Sequence, residues 1–393
     1  MNSPLLSIII PTKNRYEYIK EVISILSKID GDHLEIIVQD NSEFDNHRLE
    51  FLNYFENLND YRVKYFYNKD PLSVVENCDK SVLNANGKYL CLIGDDDCVT
   101  SQILDAVQWM ERDSIDVLTF NCPIYIWSDV EFKYLSDKHS GVLSYRSPTG
   151  KIYKMNPKIE LNKLLYHGGQ FIKDLPQFYH SIVSREILEK VYQKTGSYFP
   201  GSSPDMAVAV SLALYARNHF KIDAPLVISG SAKKSAGGMG AAKKHKGDLK
   251  KIQHLPNDTV TTWNFNIPFF WSGPTIYADS VYKCLVRTGN ECMMERFNYN
   301  YLYAMLFIFN SDYNVETRKA MKLNKGTSKL KILYFAFSLF MVRSGYFIKN
   351  RLPGIFKTNN RKIGCSTISE AVIYLERIVD KMLLTWESDH KYF

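Results

Sequence analysis

The chain has 393 residues, of which 45% are hydrophobic, 13% aromatic and 23% charged. That balance excludes an intrinsically disordered chain and supplies apolar surface for two cores, so two domains are expected. The net charge of +7 is unevenly placed: twelve Lys or Arg and no Asp or Glu lie between Arg318 and Lys362, which leaves −5 over the rest of the chain.

Residues 5–10, LLSIII, run into Pro11 and are short, apolar and Ile-rich, which predicts a buried strand. MNSPLLSIIIPTKNR has no basic leading segment and no small-residue cleavage site, so it reads as this first strand and not as a signal peptide. Ile19, Val22, Ile23 and Leu26 then recur at helical spacing. A strand (34–39), a polar turn (40–46), a helix (48–57), a strand (63–67), a helix (72–84) and a strand (88–94) follow. Such β-α-β alternation predicts a parallel sheet with helices on both faces. It continues with a helix at 101–112 and a strand at 115–121, then weakens to 157. Helices are expected at 184–196, with Ser184 as N-cap, and at 205–216, where DMAVAVSLALYA is apolar all round. The stretch 229–251 is rich in Gly, Ala, Ser and Lys and reads as a mobile loop. Beyond 256 helices are expected at 275–288, 294–310, 313–323, 328–350 and 367–387. The expected division is therefore 1–230, a loop at 231–255, and a helical C-terminal domain at 256–393.

Seven cysteines, an odd number with no C-x-x-C pair, argue against a disulfide framework or a zinc site and for a reducing, cytoplasmic compartment. Two strands end on acidic residues, one on Asp40 and one on Asp95, Asp96 and Asp97. In an open α/β sheet ligands bind at the carboxyl ends of strands. Three adjacent carboxylates repel one another unless a cation offsets them, and hard cations such as Mg²⁺ or Mn²⁺ bridge carboxylate to phosphate. The bland alternative is a solvated turn capping the next helix. No Gly-x-Gly-x-x-Gly or Walker-type loop follows the first strand, which disfavours a dinucleotide or P-loop site.

Taken together, IIIPTKNR (8–15), IIVQDNS (36–42) and NCDKSVLNANGKYLCLIGDDD (77–97) resemble the inverting glycosyltransferase family 2, of the type that builds bacterial surface polysaccharide. The resemblance is strongest over 1–120 and extends to about 230. It implies the GT-A fold: an α/β domain with a mostly parallel sheet that binds a nucleotide-diphosphate sugar, here followed by a helical C-terminal domain. It also implies that Pro11 and Thr12 lie against the nucleoside, that Asp40 accepts a hydrogen bond from the base, commonly uracil, and that Asn68 and Asn77 line the nucleotide and sugar. Asp95 and Asp97 match the D-x-D pair, with Asp97 the direct ligand of Mn²⁺ or Mg²⁺ and Asp96 nearer the donor sugar or ribose. SSPDMAVAV (202–210) matches the acidic motif under the acceptor, which makes Asp205 the catalytic base. An Asp in the first turn of a helix is also favoured by the helix dipole alone.

The expected partners are a nucleotide-sugar donor, UDP-linked by family habit, and a glycan or lipid-linked glycan acceptor. His180, His245 and His254 are candidates for a late metal or phosphate contact, and Lys233, Lys234, Lys243, Lys244 and Lys246 for closure over the diphosphate. In KLKILYFAFSLFMVRSGYFIKNRLPGIFK (329–357) the longest uncharged apolar run, Ile332 to Val342, is too short to span a bilayer of about 20 residues. Its aromatic and basic residues suit the surface of an anionic membrane instead, placing the enzyme peripherally on its inner face. Nothing in the sequence calls for nucleic acid. A nucleotidyltransferase, which would want a glycine-rich loop where PTKNRYEY stands, and a non-catalytic glycan- or membrane-binding protein are the competing readings.

Overall fold

The computed structural model describes residues 3–43, 46–131, 139–235, 246–351 and 360–389. The strands are β1 (Leu6–Thr12), β2 (Leu34–Asp40), β3 (Val63–Tyr67), β4 (Tyr89–Leu92), β5 (Cys98–Val99), β6 (Val117–Phe120), β7 (Ile124–Ile126), β8 (Val142–Arg146), β9 (Ile152–Met155), β10 (Ser181–Ser184), β11 (His219–Ile222), β12 (Val227–Ser231), β13 (Lys246–Gly247), β14 (Trp271–Ser272) and β15 (Asn360–Gly364). The helices are α1 (Tyr16–Leu26), α2 (Asn46–Glu56), α3 (Val74–Leu83), α4 (Ile103–Arg112), α5 (Pro157–Tyr166), α6 (Arg185–Thr195), α7 (Pro204–Tyr215), α8 (Gly273–Arg287), α9 (Tyr299–Phe309), α10 (Asn314–Leu323), α11 (Lys329–Arg351) and α12 (Ile368–Asp389).

Eight strands form the main sheet in the order β3-β2-β1-β4-β10-β6-β11-β9. It is mostly parallel, with β10 and β9 running against the rest. Both faces are covered, which is why β1 and β2 read as continuous apolar runs. Alternate residues still point to opposite faces: Leu6, Ile8 and Ile10 join a core with α1, α4 and α12, while Ile9 joins one with α3, α6 and α7. α3 begins on a capping box in which Ser73 and Glu76 exchange side-chain and backbone hydrogen bonds. Ser184 does precede α6, but its side chain makes no cap hydrogen bond.

The apolar girth of α7 has a direct explanation. Val208 and Leu212 face the sheet core, while Met206, Ala209, Val210 and Ala213 face a second core built with α5, α8 and α9. A helix sandwiched between two layers has no wet side to keep polar. The final elements return to the first domain: β15 pairs with β8, and α12 holds Ser101 and Gln102 through Glu376 and Asp380. Among the described residues no helix is long and apolar enough to cross a membrane.

Candidate active site

The carboxyl ends of β1, β2 and β4 converge. β1 ends on Thr12, whose hydroxyl donates to Asp95, and Arg15 just beyond clamps the same carboxylate through Nε at 3.0 Å and Nη2 at 2.5 Å. Arg15 Nη1 is buried without a hydrogen-bond partner and stands 3.6 Å from Asp96. Burial pushes Asp95 up, to about 7, even though Arg15 favours its charged form. Asp96 is also raised, by burial and by Asp97, while its Oδ2 accepts the Ala232 amide at 3.0 Å.

His180 follows from the topology. β10 lies antiparallel beside β4, so the residues just before Ser181 must sit where β4 ends. The His180 amide donates to the Leu92 carbonyl at 2.9 Å, and its Nε2 lies 2.6 Å from Asp97 Oδ2. The Tyr179 hydroxyl and the Gly94 amide donate to the same oxygen at 2.7 and 2.6 Å, and the Gly230 amide donates to Oδ1 at 2.6 Å. Burial would raise the Asp97 pKa, but these partners hold it below the usual range. Burial would likewise lower His180, yet Asp97 and Asp205 raise it. His180 also holds φ at 61°, a left-handed backbone that non-glycine residues rarely keep without a reason.

Gly230 is required where it stands. A Cβ there would come 1.7 Å from the Asp96 carbonyl oxygen, so only glycine lets β12 close on the acidic triplet. Asp205 sits in the first turn of α7 after Pro204. Burial raises its pKa, His180 lowers it and Asp97 raises it, which places the three groups within electrostatic reach of one another. Strand order brings Asp97 and His180 together, and α7 adds Asp205.

The other predicted residues surround this centre or stand apart from it. Pro11 lies in β1 opposite Gln39. Asn77, on α3, donates to the Thr12 carbonyl at 3.3 Å and leaves its buried Oδ1 without a partner. Asp40 is fully buried, its carboxylate taken by Tyr16 and Tyr65 hydroxyls at 2.7 Å each and by the Ser42 amide at 2.7 Å. The last of these is the turn bond that an Asx residue makes in any protein. Asn68 braces the same turn, its amide on the Asp40 carbonyl at 2.9 Å and its side chain on Asp70. Lys233 and Lys234 pair with Glu131 and Glu17, each at 2.7 Å, and Lys246 donates to the Phe309 carbonyl at 3.0 Å. Lys243, Lys244 and His245 lie outside the described residues. His254 packs edge-on against Trp271. Arg15 and Tyr179 were not singled out by sequence; a basic residue closing the first motif was the available signal for Arg15.

Among the described residues no cluster of three or more His, Cys, Asp or Glu side chains is arranged to hold a metal ion. Asp97 and His180 do offer an oxygen and a nitrogen side by side. The two are hydrogen-bonded to each other, so a cation seated there would have to replace that bond and complete its shell with substrate phosphate and water. An imidazole nitrogen in the set suits Mn²⁺ better than Mg²⁺.

Residues 7–175 match the family described as glycosyl transferase family 2. No curated protein matches the chain. Among solved structures, Staphylococcus aureus TarS 1–349 with UDP-GlcNAc aligns at 18% identity and a TM-score of 0.43, over 60% of this chain and 60% of that one. Intact S. aureus TarS aligns at 17% and 0.41, over 58% of this chain and 37% of its own. The mannosyltransferase PcManGT from Pyrobaculum calidifontis, with GDP-Man and Mn²⁺, aligns at 15% and 0.41, over 98% and 88%. The chain thus spans well under two thirds of the TarS proteins it matches. The sequence motifs up to Asp97 and the strand-end acids fall within residues 7–175, the stretch over which this chain is similar to glycosyl transferase family 2.

Proposed function

We propose that the protein is an inverting, metal-assisted glycosyltransferase that moves a sugar from a nucleotide diphosphate, UDP in the first instance, to a hydroxyl of a surface glycan or its lipid-linked precursor. The observation that carries this is the Asp97–His180 contact beside the Arg15-clamped Asp95, with Asp205 within electrostatic reach at the start of α7. Asp205 accepts the acceptor proton as the acceptor oxygen bonds to the anomeric carbon, and the bond from that carbon to the diphosphate oxygen breaks. Attack from the face opposite the leaving group inverts the centre. A divalent cation, held by Asp97 and His180, would supply charge to the departing diphosphate. Arg15 Nη1, a buried donor without a partner, is suited to a phosphate oxygen. Asn77 Oδ1 is suited to a donor N–H or O–H, more so than Asp40, whose oxygens are already occupied. The acidic triplet and Asp205 speak for catalysis over a bare binding role.

The division into a transferase domain (1–230), a loop (231–255) and a mostly helical region (256–393), whose last elements β15 and α12 pack back on the first domain, belongs to the same reading, as does peripheral attachment to the inner face of the membrane through α11. The test is a screen of purified protein against nucleotide sugars, scoring released nucleotide with and without Mn²⁺. Metal-dependent release from one class of donor is expected. No release from any sugar nucleotide, with the protein folded and Mn²⁺ present, would overturn the proposal.

A further inference from the structure

A cavity of about 710 Å³ opens beside the reacting centre, within the range of about 300–1,000 Å³ that ligand pockets occupy. His180 and Tyr277 line it, and Asp205 lies within electrostatic reach of both. We propose that this cavity is the acceptor site, and that it takes a glycan bearing an anionic group, phosphate or carboxylate, next to the reacting hydroxyl. The inference rests on the transferase reading and adds the class of acceptor to it.

Charge is the first argument. Arg146, Lys173 and Lys221 line the cavity against the single carboxylate of Asp223. Asp223 is already engaged, by Asn121 at 2.6 Å and by the Thr149 hydroxyl at 2.6 Å. Lys221 pairs with Asp174 at 2.9 Å. Among the described residues the Arg146 side chain donates to the amide oxygen of Asn360 at 3.1 Å, and neither Arg146 nor Lys173 makes a close ion pair, although Asp174 lies within electrostatic reach of Lys173. Two cations facing a concave site whose one carboxylate is engaged elsewhere are placed to receive an anion, because charge-assisted hydrogen bonds are the stronger ones.

Backbone strain is the second. Phe171 lines the same cavity with φ at 67° and is 60% exposed. A large aromatic residue does not prefer that backbone, and although one side of the ring meets His167 and Tyr301 edge-on, most of it stays open to the cavity mouth. A flat apolar ring at the rim of the cavity is a surface on which the apolar face of a sugar can rest. The anion then seats on Arg146 and Lys173 while the hydroxyl reaches toward His180 and Asp205.

The test is saturation-transfer NMR on the full chain. Glycerol 3-phosphate and glucuronic acid serve as anionic probes, and glycerol and glucose as their uncharged counterparts. Both anions, or the one whose chemistry the site prefers, should bind where the uncharged pair does not. Lys173→Glu, at an exposed position, should weaken binding by about tenfold or more. Phe171→Gly should weaken it while the melting temperature holds, because glycine accepts this backbone. Equal signals from charged and uncharged probes, or an unaffected Lys173→Glu, would overturn the assignment. Nucleotide release is scored in parallel, so a protein that releases nucleotide yet ignores both anions sinks the acceptor assignment alone.

Discussion

Asp97 carries four protein donors on two oxygens, and that crowding decides what its replacement does. Asp97→Asn removes the charge that balances His180 and turns one acceptor into a donor facing the Gly230 or Gly94 amide. Transfer should be abolished and Mn²⁺-dependent nucleotide binding lost; a variant with parental turnover would show that the ion sits elsewhere. Asp205→Asn should still bind donor, because its oxygen acts on the acceptor, and should lose roughly 10²–10⁴-fold in turnover. Near-parental turnover would move the base to another residue. Both acids were singled out in the sequence, by position at a strand end and a helix start and by the family likeness of their motifs, which alone suggested their roles. His180 was visible only as one histidine among several. Its place depends on β10 running antiparallel beside β4, a pairing between residues far apart in the chain that no local pattern encodes. Gly230 was legible only as part of a glycine-rich stretch, since its role is the space it leaves for the Asp96 carbonyl.

The start of α7 is fixed from behind by α8. Asp279 accepts from Ser202 at 2.6 Å and pairs with Lys283 at 2.9 Å, both acid and base almost fully buried. Removing one partner of such a pair strands a charge in the core. Lys283→Met should cost about 3–5 kcal/mol, and Lys283→Met with Asp279→Leu should recover most of it. Equal melting temperatures for parent and single variant would show that the pair contributes nothing. On β11, His219 is fully buried, with Nε2 3.2 Å from the Thr119 hydroxyl and Nδ1 unpartnered. Burial, with Lys221 adding to it, lowers its pKa to about 4. Above the unfolded value near 6.5 the group is neutral in both states. As pH falls toward 4 the unfolded chain takes up a proton that the fold refuses, so stability drops, by up to about 3 kcal/mol. His219→Gln should show a shallower loss of stability over that window, and an unchanged slope would acquit His219. The helices and parallel strands were legible because periodicity is local. The return of β15 and α12 to the first domain was not, because its determinant is a distant edge strand, β8.

At the scale of the molecule, charge and exposed apolar surface coincide on α11. Ile332 and Phe335 pack inward with α9, while Leu330, Leu333, Tyr334, Phe337, Phe340 and Met341 are each more than half exposed. These positions recur at helical spacing, so they form one continuous face, and apolar patches of that kind mark an interaction surface. Lys329, Lys331 and Arg343 flank it, inside a segment of twelve cations without an acid. An anionic lipid surface answers both features: headgroups neutralise the cations at about 1 kcal/mol each, and the rings insert at the interface. Salt screens the first contribution over about a Debye length and leaves the second. Binding to vesicles should therefore rise with the fraction of anionic lipid and weaken, without vanishing, at high salt. Replacing Lys329, Lys331 and Arg343 with Gln should remove most of the salt-sensitive part, and Phe337→Ser with Phe340→Ser most of the remainder. Sedimentation with liposomes reads both. If the protein ignores anionic vesicles at low salt, the face on α11 belongs to another partner and the peripheral attachment fails, while the chemistry at Asp97, His180 and Asp205 stands apart from that result.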